Sequence, residues 1–354
     1  MGLTRALDEA TVVVTGASSG IGAATALALA EQGASVVLAG RGESALEAVA
    51  ARCRALGGRA LTVPTDVADP IAMERLATRA AAEFGRVDAW VNNAAVATAG
   101  LFDEIPVAEF RRVVEVNLLG VAYGMRAALP YLRAAGGGVV VNVASTLAEM
   151  SMPYQAAYVA TKHAVRGMSD TLRQELRVTG EKNVAVCTLI PPAMDTPYYR
   201  HSANHTGREL RPPPPVYPPE AVAYRIVRLL RRPRREAYVT WTARLQVWQW
   251  RLAPGVTERL FGRYTSRAQF GRGHVPDSSG NLFQPTARAQ IDGGWQGARR
   301  MLIRIRVAGF LVGAAVGAVA VVARRRGYLT GRAGLSFRRS GYRLRQWVGT
   351  RHAR

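Results

Sequence analysis

Residues 15–22 read Thr15-Gly16-Ala17-Ser18-Ser19-Gly20-Ile21-Gly22. An apolar run, 11–14, precedes them, and a stretch with helical apolar spacing, 21–32, follows. A strand, a glycine-rich turn and a helix in that order form a site for a phosphate. Glycine lets the backbone turn tightly and come close to a pyrophosphate, and the helix N-terminus presents unpaired N–H groups and the positive end of its dipole. An ordinary tight turn would also use glycine, but the flanking strand and helix favour the dinucleotide reading.

The same alternation continues outward. Strands are expected over 35–39, 60–63, 89–92, 138–144 and 183–190, each continuous and apolar rather than alternating. Helical spacing occupies 44–56, 71–84, 107–135 and 155–178, and a further helix and strand are expected over 219–230 and 236–241. This pattern predicts an α/β fold, a Rossmann-like doubly wound parallel sheet with helices on both faces. A domain of residues 1–241 is expected, then an aromatic and Arg-rich extension over 242–298, in which 271–295 reads as loop. An Arg-rich tail over 299–354 completes the chain.

The spacing Thr-Gly-x-x-x-Gly-x-Gly resembles the short-chain dehydrogenase/reductase family, in its compact branch. Further segments carry the resemblance: Asn92-Asn93-Ala94-Ala95, with Ala95 where the family has glycine; Asn117 within Val116-Asn117-Leu118-Leu119-Gly120; Ser145; and Tyr158-Val159-Ala160-Thr161-Lys162, a Tyr-x-x-x-Lys motif. The resemblance implies an oxidoreductase that transfers a hydride between a nicotinamide cofactor and a carbonyl or alcohol. It implies catalytic roles for Asn117, Ser145, Tyr158 and Lys162. Lys162 also holds the nicotinamide ribose in this reading, and Asn117 anchors a water in a proton relay. Cofactor contacts are implied for Gly16, Ser18, Ser19, Gly20, Ile21, Gly22, Asp66, Val67, Asn93, Ala94, Ala95, Pro191 and Thr196, together with Tyr158 and Lys162. Pro192 replaces a family glycine beside Pro191, which stiffens that loop and removes an N–H donor.

The residues themselves support the chemistry. Tyr158 and Lys162 are four apart on an expected helix and so share a face. A nearby ammonium and a cationic nicotinamide stabilise a phenolate and are expected to lower the tyrosine pKa. Ser145 can hold the substrate oxygen by a hydrogen bond. Where an acid would grip the ribose of NAD, the sequence has Ala39-Gly40-Arg41. An arginine pairs with a 2′-phosphate by a bidentate fork, so NADP(H) is expected, with NAD(H) the alternative. Val96, Leu147, Met150, Met152, Tyr154, Met194 and Tyr198 should border the substrate, which suggests an apolar carbonyl or alcohol. His163 is expected to pack on its helix. His201 and His205 lie in a polar lid, with no acid nearby in sequence to make a metal site.

Charge divides the chain. Residues 1–200 hold 18 basic and 19 acidic residues, whereas 201–354 hold 29 basic and 6 acidic. Residues 299–354 alone contain 14 arginines and no acid. Within them, 307–323 carries no charge, and as a helix it would extend about 26 Å, against a hydrocarbon core of about 30 Å. Gly309, Gly313 and Gly317 would share one face. Three readings stay open: a transmembrane helix, a helix on an anionic membrane surface, or a soluble packing helix. Membrane lipid is the expected partner of 299–354, and 242–270 is a second candidate membrane-facing element. Nucleic acid fits the uncharged run poorly, a homo-oligomer is expected, and the catalytic domain is expected in the cytoplasm. A non-catalytic NADP(H)-sensing or scaffold protein is the alternative function. Cys53 and Cys187 stand far apart with no metal-binding spacing, which excludes a disulfide framework and a structural zinc site.

Overall fold

A computed structural model describes residues 2–286 and 289–295. The elements run in chain order as β1 (Thr11–Thr15), α1 (Gly20–Ala30), β2 (Ser35–Gly40), α2 (Glu43–Ala55), β3 (Arg59–Pro64), α3 (Pro70–Phe84), β4 (Ala89–Asn92) and β5 (Thr98–Ala99). Next come α4 (Val107–Val114), α5 (Gly120–Ala134), β6 (Gly138–Val143), α6 (Ala156–Val178), β7 (Val184–Ile190), α7 (Tyr198–His201), β8 (Ala203–Asn204) and β9 (Arg208–Leu210). The described elements end with α8 (Glu220–Arg231), β10 (Glu236–Tyr238), α9 (Trp241–Leu252), α10 (Pro254–Ala268) and β11 (Phe270–His274).

Seven strands form one parallel sheet in the order β10-β7-β6-β4-β1-β2-β3. Both faces are covered, which explains why the strands read as unbroken apolar runs. Val12 and Val14 of β1 pack with α1, α2 and α8 side chains such as Leu27, Leu46 and Ile226. Val13, between them, points the other way and packs with Met73, Met125 and Val165 from α3, α5 and α6. Strand order reverses at β1, whose neighbours are β2 on one side and β4 on the other. The loops leaving the C-terminal ends of β1 and β4 therefore part at this point and open a crevice, the place where such sheets bind ligands.

The helix expected over 107–135 is interrupted. Residues Glu115–Leu119 form a π-helical turn between α4 and α5, a feature frequent at functional sites. Asn117 lies inside it and is fully buried. The stretch expected to be loop after 271 begins instead as β11, antiparallel to β9. The expected domain edge falls at the start of α9, and the described residues beyond it belong to the same compact unit. Among the described residues no helix is long and apolar enough to cross a membrane. The candidate helix over 307–323 lies outside the described residues.

Gly22 decides how closely α1 approaches β1. A Cβ there would lie 2.1 Å from the Gly16 carbonyl oxygen and 2.7 Å from Asn93 Nδ2. Gly→Ala within a helix ordinarily stabilises by up to about 1 kcal/mol. Here overpacking against backbone reverses the sign, and Gly22→Ala should destabilise by roughly 1–3 kcal/mol. Thermal unfolding followed by circular dichroism checks this; an unchanged or raised Tm would show that the turn can relax.

Candidate active site

Thr15 and Asn93 build the turn that opens the cleft. The Thr15 hydroxyl donates to the Val91 carbonyl and accepts from the Asn93 and Ala94 amides, at 3.3, 3.0 and 3.2 Å. Asn93 Nδ2 donates back to the carbonyls of Thr15 and Gly16, at 2.9 and 3.3 Å. The C-terminal ends of β1 and β4 are thus tied to each other at the switch point. Gly16 takes φ +65° and passes so near Ala94 that a Cβ would lie 2.8 Å from its Cα. This cradle fits a dinucleotide pyrophosphate: a close-approach turn leading into the first turn of α1, whose amides lack partners within the helix.

From this turn a single cleft runs along the ends of the strands. Gly16, Ser18, Ser19, Gly20, Ile21, Arg41, Asp66, Val67, Asn93, Ala94, Ala95, Ser145, Tyr158, Lys162, Pro191 and Thr196 all line it. Gly22 and Asn117 do not. Gly22 serves helix–strand packing, as described above. Asn117 acts through Val96, the residue just past the Ala94-Ala95 wall: its Oδ1 accepts from the Val96 amide and its Nδ2 donates to the Val96 carbonyl, both at 2.8 Å.

Ser145, Tyr158 and Lys162 meet at one end. Ser145 follows β6 directly, and its Oγ accepts from the Leu147 amide at 3.1 Å, which fixes the hydroxyl at the start of a short turn. Lys162 Nζ donates to the Val143 carbonyl at 2.8 Å and lies 5.4 Å from the centre of the Tyr158 ring. Burial lowers the Lys162 amine to about 8. Burial raises the Tyr158 phenol to about 12, against the opposing effect of the Ser145 and Tyr198 hydroxyls. The lowering expected from the sequence counts an ammonium and a cationic nicotinamide; for the protein's own groups, desolvation of the phenolate outweighs the help of the neighbouring hydroxyls. The Tyr198 ring stands edge-on to Tyr158, centroids 5.7 Å apart, and its hydroxyl is buried.

The walls beyond this group are apolar, as expected for Val96, Leu147, Met150, Met152, Met194 and Tyr198. Tyr154 is displaced from them. It adopts φ +67° and packs edge-on against Phe270 of β11, centroids 5.1 Å apart. Pro213, Pro214, Phe261 and Tyr264 also line the cleft, although nothing in the local sequence ties α10 to the site.

A second group missed in the sequence is the strap formed by residues 278–286 and 289–295. Arg41 Nη1 and Nη2 donate to the carbonyls of Leu282 and Asn281, at 2.9 and 2.5 Å. The Gly20 amide donates to the Gln290 carbonyl at 2.9 Å. The Gly293 and Trp295 amides donate to Asp195 Oδ1 at 3.0 and 3.1 Å, and Trp295 Nε1 donates to the Thr196 carbonyl at 3.0 Å. The strap thus touches the site at Arg41, at the glycine turn and at the Pro191–Thr196 loop. The only local hints in this segment are its glycines and Trp295.

The strap's beginning is held by a polar cluster. Buried Glu109 accepts from His205 Nε2 at 2.8 Å, from Ser279 Oγ at 2.7 Å and from Thr98 Oγ1 at 3.1 Å. His205 therefore has acidic neighbours, Glu109 and Asp277, which the fold brings from far along the chain; hydrogen bonds to these two acids raise its pKa against the effect of burial. Among the described residues no group of His, Cys, Asp and Glu suits a metal ion. His163 Nδ1 contacts the Val159 carbonyl of its own helix, at 2.9 Å.

Known proteins resemble this chain in sequence and fold. The chain is 34% identical over 267 residues to the uncharacterized oxidoreductase YxnA of Bacillus subtilis (strain 168), 75% of each chain. It is 42% identical over 194 residues to cis-4-hydroxycyclohexanecarboxylate dehydrogenase of Sinomonas cyclohexanicum, 54% of this chain and 76% of that one. Its fold matches an alcohol dehydrogenase from Thermococcus sibiricus complexed with 5-hydroxy-NADP, with TM-score 0.57 and 29% identity, covering 65% of this chain and 95% of that one. It also matches a short chain dehydrogenase/reductase from Burkholderia phymatum in complex with NAD, with TM-score 0.63 and 28% identity, covering 70% and 96%. The family model described as short chain dehydrogenase matches residues 10–206, from the start of the sheet through the glycine turn, Ser145, Tyr158 and Lys162, and so the chain belongs to the short-chain dehydrogenase/reductase family.

Proposed function

We propose that this oxidoreductase interconverts an apolar carbonyl compound and its alcohol with NADP(H), using Tyr158 as general acid and base. The observation that carries the reading is the meeting of Ser145, Tyr158 and Lys162 in the cleft that the glycine turn opens. When bound, the dinucleotide supplies or accepts a hydride at its nicotinamide ring. In reduction the carbonyl carbon gains that hydride while Tyr158 gives its proton to the oxygen; oxidation runs the same transfers backwards. The Ser145 hydroxyl donates to the same oxygen and steadies its developing charge. A phenol near 12 is a proton donor at neutral pH, which suits reduction in the absence of other charge. For oxidation the phenolate needs positive charge beside it, from Lys162 and from the oxidised cofactor.

The adenosine end supports the NADP(H) reading. Arg41 and Arg112 lie near each other there with Asp66, which is paired to Arg112. Asp66 and Glu115 both pair with Arg112, so the positive charge offered to a phosphate there is that of Arg41. Arg41 gives two N–H groups to strap carbonyls and keeps others from its five for a ligand.

Tyr158→Phe should reduce turnover at least about a hundredfold while cofactor binding, read by NADPH fluorescence, persists. Retained turnover would remove the assignment. Arg41→Ala should weaken NADPH by roughly ten- to a hundredfold, the range of a charged hydrogen bond. NADH, titrated in parallel, reports any loss of the strap contact by itself, so an equal loss for both cofactors would exclude a phosphate role. Lys162 is charged below about pH 8 and neutral above it, since burial lowers its pKa. The kcat/KM for carbonyl reduction should therefore hold level below pH 8 and fall above it. A profile flat well into the alkaline range would show that the ammonium is not required.

A further inference from the structure

The helical hairpin of α9 and α10 shows the reverse of ordinary surface patterning. Of the fifteen large apolar side chains exposed among the described residues, six lie on it: Trp241, Trp248, Leu252, Val256, Leu260 and Tyr264. Trp241 is 66% exposed, Trp248 54% and Leu252 78%. On α9, positions 241, 244, 248 and 251–252 follow helical spacing and hold Trp, Arg, Trp, Arg and Leu, while Ala243 and Val247 take the buried side. On α10, positions 256, 259–260, 263–264 and 267 repeat the mixture as Val, Arg, Leu, Arg, Tyr and Arg. The stripes are therefore apolar and cationic together. The two helices are tied to each other, since the Trp250 and Phe261 rings meet edge-on at 6.4 Å and Thr257 Oγ1 donates to the Gln249 carbonyl at 3.1 Å.

Charge selects the occupant of this surface. Residues 241–268 contain five arginines and one acid, Glu258. Arg251 is paired with buried Glu149. Arg244, Arg259, Arg263 and Arg267 pair with no acid among the described residues. A second copy applied to the same face would set arginines against arginines, and residues 299–354, with 14 arginines and no acid, would be repelled in the same way. An anionic lipid surface meets every feature. Indole rings favour the headgroup boundary, arginines reach phosphates while their stems lie on apolar surface, and mobile headgroups require no fixed register.

We propose that the α9–α10 hairpin docks on an anionic membrane surface. Gln246 and Phe261 line the cleft and Tyr264 reaches from its lining to the exposed stripe. Docking therefore brings the substrate end of the cleft to the lipid boundary.

The test uses the full chain with phosphatidylcholine vesicles, with and without phosphatidylglycerol, and a matched set carrying brominated acyl chains. The protein should bind the anionic vesicles preferentially, and brominated chains should quench its tryptophan emission. Trp241→Phe with Trp248→Phe should remove most of that quenching while binding continues. Leu252→Ser, Val256→Ser and Leu260→Ser together should weaken vesicle partition by about tenfold or more, with cofactor binding and Tm retained as the check on folding. Binding that survives the triple substitution without quenching would place the contact in residues 299–354 and overturn the proposal. So would a dimer, seen by sedimentation velocity, that these substitutions dissociate while vesicle binding is unchanged. Preference for an acidic polypeptide such as polyglutamate over anionic vesicles would overturn it too.

Discussion

The hydrogen bonds between Thr15 and Asn93 join the two halves of the sheet where strand order reverses. Parallel strands feed their chain ends to one edge, and at β1 those ends diverge, so the crevice is a consequence of topology. Topology alone would leave it floppy. Thr15 both donates and accepts, and Asn93 donates from its amide and its side chain, to join the β4 loop to the β1 loop, which gives the glycine turn a fixed wall. Gly16 and Gly22 then let backbone, Ala94 and α1 close to distances that no side chain would permit. The opening of the cleft and the close approach of the glycine turn to the β4 loop follow from that junction.

The group of Ser145, Tyr158 and Lys162 illustrates the cost of building polar side chains into a core. Burying Tyr158 and Lys162 excludes water from the reacting atoms and moves both pKa values toward the neutral forms. The two shifts oppose each other in use: a neutral phenol favours giving a proton, whereas a neutral amine weakens the field that would help take one back. Lys162 also spends a hydrogen bond on the Val143 carbonyl, on the strand that leads to Ser145. That bond sets the lysine relative to both the serine and the tyrosine, so a residue expected for its charge is equally a positioning device.

The sheet and the meeting of Ser145, Tyr158 and Lys162 were legible because their signals are local. Unbroken valine runs require cover on both faces, and Tyr158 with Lys162 needs only a helix to share a face. Asn117 was legible as a residue but not in its surroundings, since the π-helical turn that sets it against Val96 has no separate sequence signature. The partners of His205 were hidden for a different reason. Glu109 and Asp277 are separated from it by long stretches of chain; the pairing of β5 with β8 and the bridge between Asn204 and Ser278 bring the segments together. The strap was illegible because its bonds are made by backbone carbonyls and amides, which every residue carries. The expected lowering of the Tyr158 pKa was reasoned from the ammonium and a cationic nicotinamide, whereas the opposing effect of burial is a property of packing rather than of motif.

The strap changes how Arg41 should be understood. A guanidinium at the end of β2 could face solvent or a ligand with equal ease, and its charge by itself selects neither. Two carbonyls, from Asn281 and Leu282, fix its plane, and Leu282 also accepts from Arg112 Nε at 3.1 Å. Two arginines thus converge on one carbonyl oxygen beside Asp66. Such convergence is costly between like charges unless anionic or dipolar groups lie between them. Those groups are drawn from 170 and more residues away, where the chain has already completed its sheet. The polarity of the adenosine end is therefore set jointly by β2, by α4 and by a segment beyond the sheet. In this protein the first βα unit alone does not specify the environment that a cofactor's ribose would meet.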